Sequence, residues 1–309
     1  MVKEAHSSII SGVLFGAGAG VFWGLVFLAP ELVPEFTSLQ LVVGRFLAYG
    51  VISLILAIPK WSYLKKTISL SEIRTLLCLA LLGNTLYYTL LSNAVKLGGI
   101  ALTSLILGFL PVTVSIIGSR DAEAIALRRL WPSLSFCIAG AFCIGAQALT
   151  TRSGHPVTGL FLALGALASW TAYAVGNSRA LSRLPHLSVH DWNLLTGLAT
   201  GFQAVLLIPI VVFTTRNAHP FNEWMQFSLV AIGVALAASI IGNALWNRMS
   251  RLLPLTMVGQ MILFETLFAL IYGFLWEKRW PHPLEIMAFI ALVASVFSCV
   301  RSHHRHLSS

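Results

Sequence analysis

The chain has 309 residues; 57% are hydrophobic types, only 10% are charged, and the mean hydropathy is +0.83. Soluble domains carry roughly 25% charged residues, so the composition argues against a soluble fold and for a polytopic membrane protein. The net charge of +9 reads as a membrane-topology signal, not as a nucleic-acid footprint.

Apolar runs between charged or Pro/Gly-rich breaks predict ten spans: 8–28, 38–58, 73–93, 99–118, 132–150, 157–177, 190–213, 226–247, 254–276 and 284–301. Each is long enough to cross about 30 Å of hydrocarbon. The first run is too long for a signal-peptide core and stays as a helix. It reads GVLFGAGAGVFWG over 12–24. Glycine costs roughly 1 kcal/mol against alanine in a helix, yet Gly12, Gly16, Gly20 and Gly24 recur on one face. Such a row permits close backbone approach between helices. It serves either as a packing face or as a surface that lets span 1 shift beside a cavity.

Span 2 carries Arg45 within QLVVGRF. Pairing with Glu31 or Glu35 in the first outer loop is the favoured reading over contact with a substrate carboxylate. Span 3 places Asn84, Tyr87, Tyr88 and Ser92 on one side by three- and four-residue spacing. The breaks at KLGG (96–99) and RLLP (251–254) are the shortest. Pro111 in span 4 tends to kink its helix and free backbone carbonyls.

Span 6 places Trp170, Tyr173 and Asn177 together, and span 8 places Ser239, Asn243, Trp246 and Asn247 together. These aromatic-plus-amide walls suit a ligand with an apolar side chain and hydrogen-bonding ends; each group also suits an interhelical hydrogen bond. Trp246 and Asn247 lie near the expected cytoplasmic end, where an aromatic belt is the other reading. His190 and Asp191 open span 7, where N-capping explains them. Glu265 sits near the middle of span 9. An ionised, unpaired carboxylate is costly there, so it is either protonated or partnered, and it could carry a proton or bind an ammonium. The tail RSHHRH (301–306) reads as a solvated basic end. Cys78, Cys137, Cys143 and Cys299 all fall in apolar runs without metal-ligand spacing, so neither a disulfide framework nor a metal site is expected.

Taking the N-terminus as cytoplasmic, the inside segments hold 14 of the 20 Lys and Arg and the outside segments 5, with Arg45 inside a span. That bias places both termini in the cytoplasm. The chain also repeats itself. GVLFGAGAGVFWG (12–24) aligns with GLFLALGALASWT (159–171), matching Trp23 to Trp170. SNAVKLGGIALTSLILGFLPV (92–112) aligns with WNRMSRLLPLTMVGQMILFET (246–266), matching Asn93 to Asn247 and Pro111 to Glu265. The offsets, 147 and 154, indicate two five-helix units, 1–153 and 154–309. An odd number of helices per unit inverts the second against the first, the layout of secondary transporters with a midplane site between repeats. Inversion directs Trp23 toward one side of the membrane and Trp170 toward the other, where each is expected to close one end of the cavity.

On these motifs the sequence resembles the drug/metabolite transporter superfamily in its ten-helix form with duplicated EamA-type units. GFLWEKRW (273–280) adds Glu277, which looks like that family's acidic residue after the ninth helix. The first repeat departs from the pattern at IGSRDAEAIALRRLWPS. Within the superfamily the chain is most similar to the YddG-type aromatic amino acid exporters. The resemblance implies export of aromatic and other neutral amino acids from the cytoplasm of a bacterium across its inner membrane, with no bound cofactor.

The expected architecture is therefore an all-α membrane protein of ten transmembrane helices in two inverted five-helix repeats. The expected substrate contacts are Trp23, Asn84, Tyr87, Tyr88, Trp170, Tyr173, Asn243, Trp246 and Glu265. Gly12, Gly16, Gly20, Gly24 and Pro111 are expected to act in packing or conformational change. Partners are a small-molecule substrate and the lipid bilayer, with a monomer favoured. The alternative cargo is a hydrophobic cation or another metabolite, since an aromatic cage with one deep carboxylate suits a cation. An intramembrane enzyme is disfavoured by the lack of HExxH, GxSxG and a deep His, and ATP drive by the lack of GxxxxGK[ST].

Overall fold

The computed structural model describes residues 2–121, 124–148, 156–215 and 219–308, and every regular element among them is a helix. Nine helices among the described residues are long and apolar enough to cross a membrane. They give spans 1 (Ser8–Leu32), 2 (Ser38–Thr67), 3 (Leu70–Val95), 5 (Leu127–Ala146), 6 (Val157–Arg183), 7 (Val189–Thr214), 8 (Phe221–Leu252), 9 (Leu255–Trp276) and 10 (Pro283–His303). The expected division at 153/154 lies outside the described residues.

Helix starts follow local chemistry. Thr37 and Gln40 form a capping box at span 2, and Ser69 and Glu72 form one at span 3. Span 7 is capped by Ser188, whose side chain accepts from Asp191 N–H, so the cap is Ser188 and not the expected His190–Asp191 pair. Asp191 instead holds Lys60 at 3.1 Å.

Between spans 3 and 4 the expected break at 96–99 is replaced by continuous helix, Leu86–Leu107, and the interruption falls at Gly108–Phe109, before Leu110–Gly118. In the second half the helix does break at the expected place, after Leu252, ahead of Leu255–Met261. The difference tracks proline. Pro111 occupies the first turn of its helix and Pro254 caps its own; a residue without N–H ends the preceding helix. KLGG retains every N–H. Expected span 4 (99–118) is thus divided between two helices.

The glycine row of span 1 faces span 9. A Cβ on Gly16 would lie 3.1 Å from Met261 Cβ; on Gly20, 2.7 Å from the Phe264 carbonyl carbon; and on Gly24, 3.0 Å from Ala269 N. A Cβ on Gly12 would overlap the Leu253 side chain. Spans 2 and 7 close as tightly, with a Cβ on Gly50 falling 2.6 Å from Gly201 Cα. The approaches at Gly20, Gly24 and Gly50 are backbone-limited, the contact mode available where lipid supplies no hydrophobic drive between helices.

Spans 3 and 8 share a distortion that periodicity did not announce. Each contains a π-helical turn, Leu81–Thr85 in one and Ala235–Gly242 in the other. They begin 154 residues apart, one of the two offsets at which the halves align. A π turn carries an extra residue and opens the carbonyl ladder. Here the opened carbonyls are taken by neighbouring helices: Ser169 donates to Leu82 O at 2.8 Å, Trp23 Nε1 to Ala238 O at 3.1 Å and Asn193 Nδ2 to Ile240 O at 2.9 Å.

Candidate functional site

The π turns frame an aromatic cluster drawn from both halves of the chain. Trp23 and Trp246 lie 4.9 Å apart between ring centroids, Trp170 and Trp246 5.5 Å, and Trp23 and Trp170 6.5 Å in edge contact. Tyr173 meets Trp170 at 5.7 Å and Tyr87 meets it at 6.4 Å. Spans 1, 3, 6 and 8 therefore converge on one point. This overturns the expected placement of Trp23 and Trp170 at opposite ends of the cavity. The helices run further than the apolar runs suggest, to Leu32 in span 1 and to Arg183 in span 6, so both indoles sit near mid-span and touch. The aromatic-belt reading of Trp246 fails too: its ring is 1% exposed and packs inside the cluster.

Polar groups line the cluster's edge. Trp23 Nε1 donates to Asn243 Oδ1 at 3.1 Å as well as to Ala238 O. The Trp246 indole nitrogen is buried and has no hydrogen-bond partner among the described residues. Asn84 donates to Thr200 at 3.0 Å, toward span 7. Asn177 and Asn247 bond each other at 2.9 Å, and Trp192 donates to Asn177 at 2.9 Å. That trio ties spans 6, 7 and 8 together, the structural alternative open to those amides.

A second arm leaves the cluster through Tyr87 to Tyr88, centroids 5.4 Å apart. The Tyr88 hydroxyl accepts from Arg45 Nη1 at 2.7 Å, and Arg45 Nε donates to Ser239 at 3.1 Å. The guanidinium also lies 5.3 Å from the Tyr88 ring centroid. Arg45 is thus not paired with Glu31 or Glu35, both of which are exposed. It turns inward because span 2 buries that face against spans 3 and 8. Glu265 is partly buried and lies within electrostatic reach of Arg45 and Tyr87.

The expected contacts therefore separate into groups. Trp23, Trp170, Tyr173, Trp246 and Asn243 form the cluster; Tyr87, Tyr88 and Glu265 form the arm; Asn84 points to span 7. Gly16, Gly20 and Gly24 lie in the span 1–span 9 contact, Gly12 lies against Leu253 just before span 9, and Pro111 sits in the first turn of a helix, its carbonyl 3.1 Å from where a Cβ on Gly259 would stand. Sequence reading passed over Tyr49, whose hydroxyl donates to Asn193 Oδ1 at 2.7 Å, and Gln203, which accepts from Thr85 at 2.6 Å. Asn193, Thr196, Thr200 and Gln203 form a polar stripe at helical spacing along span 7, and that stripe was the available signal.

An open cavity of about 420 Å³ lies elsewhere, lined by Phe27, Leu28, Glu31, Ala269, Gly273 and Trp276. It occupies the far ends of spans 1 and 9, away from the cluster, and gathers no comparable set of polar groups. At the other end of the bundle, His303 of the supposedly solvated tail is buried and bonds Thr256 at 2.9 Å; the last helix extends to Ser308 and carries it into the protein. Among the described residues no group of three or more His, Cys, Asp or Glu comes together to hold a metal. The side chain of Glu277 lies outside the described residues.

Comparison with known proteins places the whole chain. The EamA-like transporter family matches it twice, over residues 10–146 and 157–301. The inner membrane protein YtfF of Escherichia coli (strain K12) is 31% identical over 319 residues, covering 95% of this chain and 96% of that one. A solved crystal structure at 18% identity covers 97% of this chain and 99% of its own, with a TM-score of 0.74, and so shares the fold.

Proposed function

The chain belongs to the EamA-like transporter family, a family of membrane transporters, and from that membership we propose that it exports aromatic and other neutral amino acids by alternating access. The observation that carries the reading is the ring cluster Trp23–Trp170–Trp246 with Tyr87 and Tyr173, edged by Asn243. A cage of rings receives an apolar or aromatic side chain, and the amide and hydroxyl edge receives its polar end. The cluster takes residues from both halves, so a rearrangement of 1–153 against 154–309 opens or closes it. The double family match supports that division, and the close relative named as an inner membrane protein supports placement in a bacterial inner membrane. Both termini are cytoplasmic, and the monomer is the working unit.

The test is efflux of labelled phenylalanine, tyrosine and tryptophan from proteoliposomes holding the purified protein, against a panel of polar amino acids. Trp246→Ala and Trp170→Ala should lower aromatic efflux by about two- to tenfold, the scale of losing a ring contact of about 0.5–1.5 kcal/mol. Wild-type vesicles that leak no faster than empty ones refute it. The second reading, export of hydrophobic cations, is favoured by Glu265, which makes no hydrogen bond or ion pair through its side chain among the described residues. Competition by a lipophilic monocation against labelled phenylalanine separates the two.

A further inference from the structure

We infer that Arg45 and Glu265 are the two poles of a subsite for a free zwitterion, Arg45 taking the carboxylate and Glu265 the ammonium of an α-amino acid; this rests on the proposal that amino acids are the cargo. Charged groups at membrane depth are expensive unless compensated. Arg45 is 7% exposed, yet its two hydrogen bonds go to neutral oxygens, those of Ser239 and Tyr88. Among the described residues no carboxylate comes within ion-pair distance of it. Glu265 stands in the central turn of span 9 and its carboxylate, too, has no ion pair or hydrogen bond among them. The two opposite charges are within electrostatic reach of each other but do not touch. Tyr88 holds Arg45 and stacks at its edge on Tyr87, whose centroid is 5.4 Å away and which lies within electrostatic reach of Glu265.

A guanidinium offers five donors in a planar fork, and two are in use here. A ligand carrying an anion and a cation one carbon apart compensates both poles at once. An amine lacking the carboxylate leaves Arg45 uncompensated, and an acid lacking the ammonium leaves Glu265 uncompensated. Selectivity thus comes from the charge left unpaired by the wrong ligand. Tyr87 packs between Tyr88, which holds Arg45, and the Trp170 ring, so a zwitterion seated there directs its side chain toward the aromatic cluster.

The test uses the purified full-length protein and the probes phenylalanine, phenethylamine, 3-phenylpropionate, leucine and glutamine. Affinity is read by titration and by competition for labelled phenylalanine in proteoliposomes. Wild type should prefer phenylalanine to the amine and to the acid by about tenfold or more, the lower end for a charged hydrogen bond. Arg45→Gln should weaken phenylalanine about tenfold while leaving the amine unchanged. Glu265→Gln should weaken phenylalanine similarly while leaving the acid unchanged. Arg45→Lys, which keeps the charge, should recover most of the loss and carries the arginine arm if Arg45→Gln fails to elute as a single species.

Phenylalanine bound equally by wild type and both folded variants overturns the subsite while sparing the aromatic cargo. Parallel loss of amine and amino acid in Arg45→Gln overturns it as well, since that is the mark of a structural arginine. If leucine or glutamine binds with the expected variant pattern and phenylalanine does not, the subsite stands and the aromatic reading falls. Binding of no amino acid by the wild type overturns both.

Discussion

The contact between spans 1 and 9 makes a quantitative prediction from glycine alone. A Cβ on Gly20 would lie 2.5 Å from Phe264 Cβ, 2.7 Å from the Phe264 carbonyl carbon and 2.9 Å from Glu265 N. Two of those three atoms are backbone, so no rotamer relieves the overlap and the helices must separate. Overpacking of this kind costs about 1–3 kcal/mol, against a helix-propensity gain of roughly 1 kcal/mol for replacing glycine by alanine. The expected net for Gly20→Ala is a loss of up to about 2 kcal/mol. Gly233 has nothing within 4 Å of its would-be Cβ, so Gly233→Ala keeps only the gain. Gly18 lies in the same helix as Gly20 but would meet only the end of the Leu245 side chain, at 3.2 Å, and Gly18→Ala should fall between. The two extremes differ by about 1–3 kcal/mol, a gap of roughly 2–12 °C in Tm. Thermal unfolding in detergent, followed by size-exclusion chromatography, reads it. Equal Tm for Gly20→Ala and Gly233→Ala would refute the claim that backbone approach sets this interface.

Trp23→Phe removes the N–H shared by Ala238 O and Asn243 Oδ1; it should cost about 1–3 kcal/mol, with Asn243→Ala adding little on top because the two sites share one bond. Tm of the single and double variants decides this. Ser295 donates to Gln260 Oε1 at 2.9 Å and to Ser133 O at 2.7 Å in a buried set. Ser295→Ala should therefore lower Tm more in the native background than in Gln260→Leu, where one stranded acceptor is already gone. Gly83→Ala should press on the Tyr173 ring, which a new Cβ would overlap, and lower aromatic efflux more than Gly273→Ala, whose position is open. In a background lacking Cys78, Cys137, Cys143 and Cys299, single cysteines at Ser7 and Ser308 should both label from the cytoplasmic side; labelling from opposite sides would refute two five-span units.

Spacing along the chain carried some of this architecture and missed the rest for a physical reason. The glycine row was legible because four-residue spacing defines a helix face whatever lies opposite, and the correspondence of Trp23 with Trp170 in the repeat was legible, though their contact was not. Depth was not legible: helices at Leu32 and Arg183 run on through residues that hydropathy treats as boundary, which moved both indoles to mid-span. Nor were partners across the bundle. Arg45 reaches Tyr88 and Ser239, 43 and 194 residues away, while Glu31 and Glu35 were near only in sequence. The deeper cause lies in the π turns. One extra residue in a turn rotates everything beyond it by about 100° relative to a regular helix. Asn84 lies inside the first π turn, so its bearing relative to Tyr87, Tyr88 and Ser92, which follow in regular helix, is not the one regular spacing assigns. Asn84 addresses span 7, Tyr87 span 6, and Tyr88 span 2. A wall in the sequence becomes a hub in the structure, and the same insertion recurs at Ala235–Gly242, where Ser239 and Asn243 address spans 2 and 1. Because Ser169, Trp23 and Asn193 satisfy the opened carbonyls from outside, each π turn depends on tertiary contacts, and its register follows from how the neighbouring spans pack.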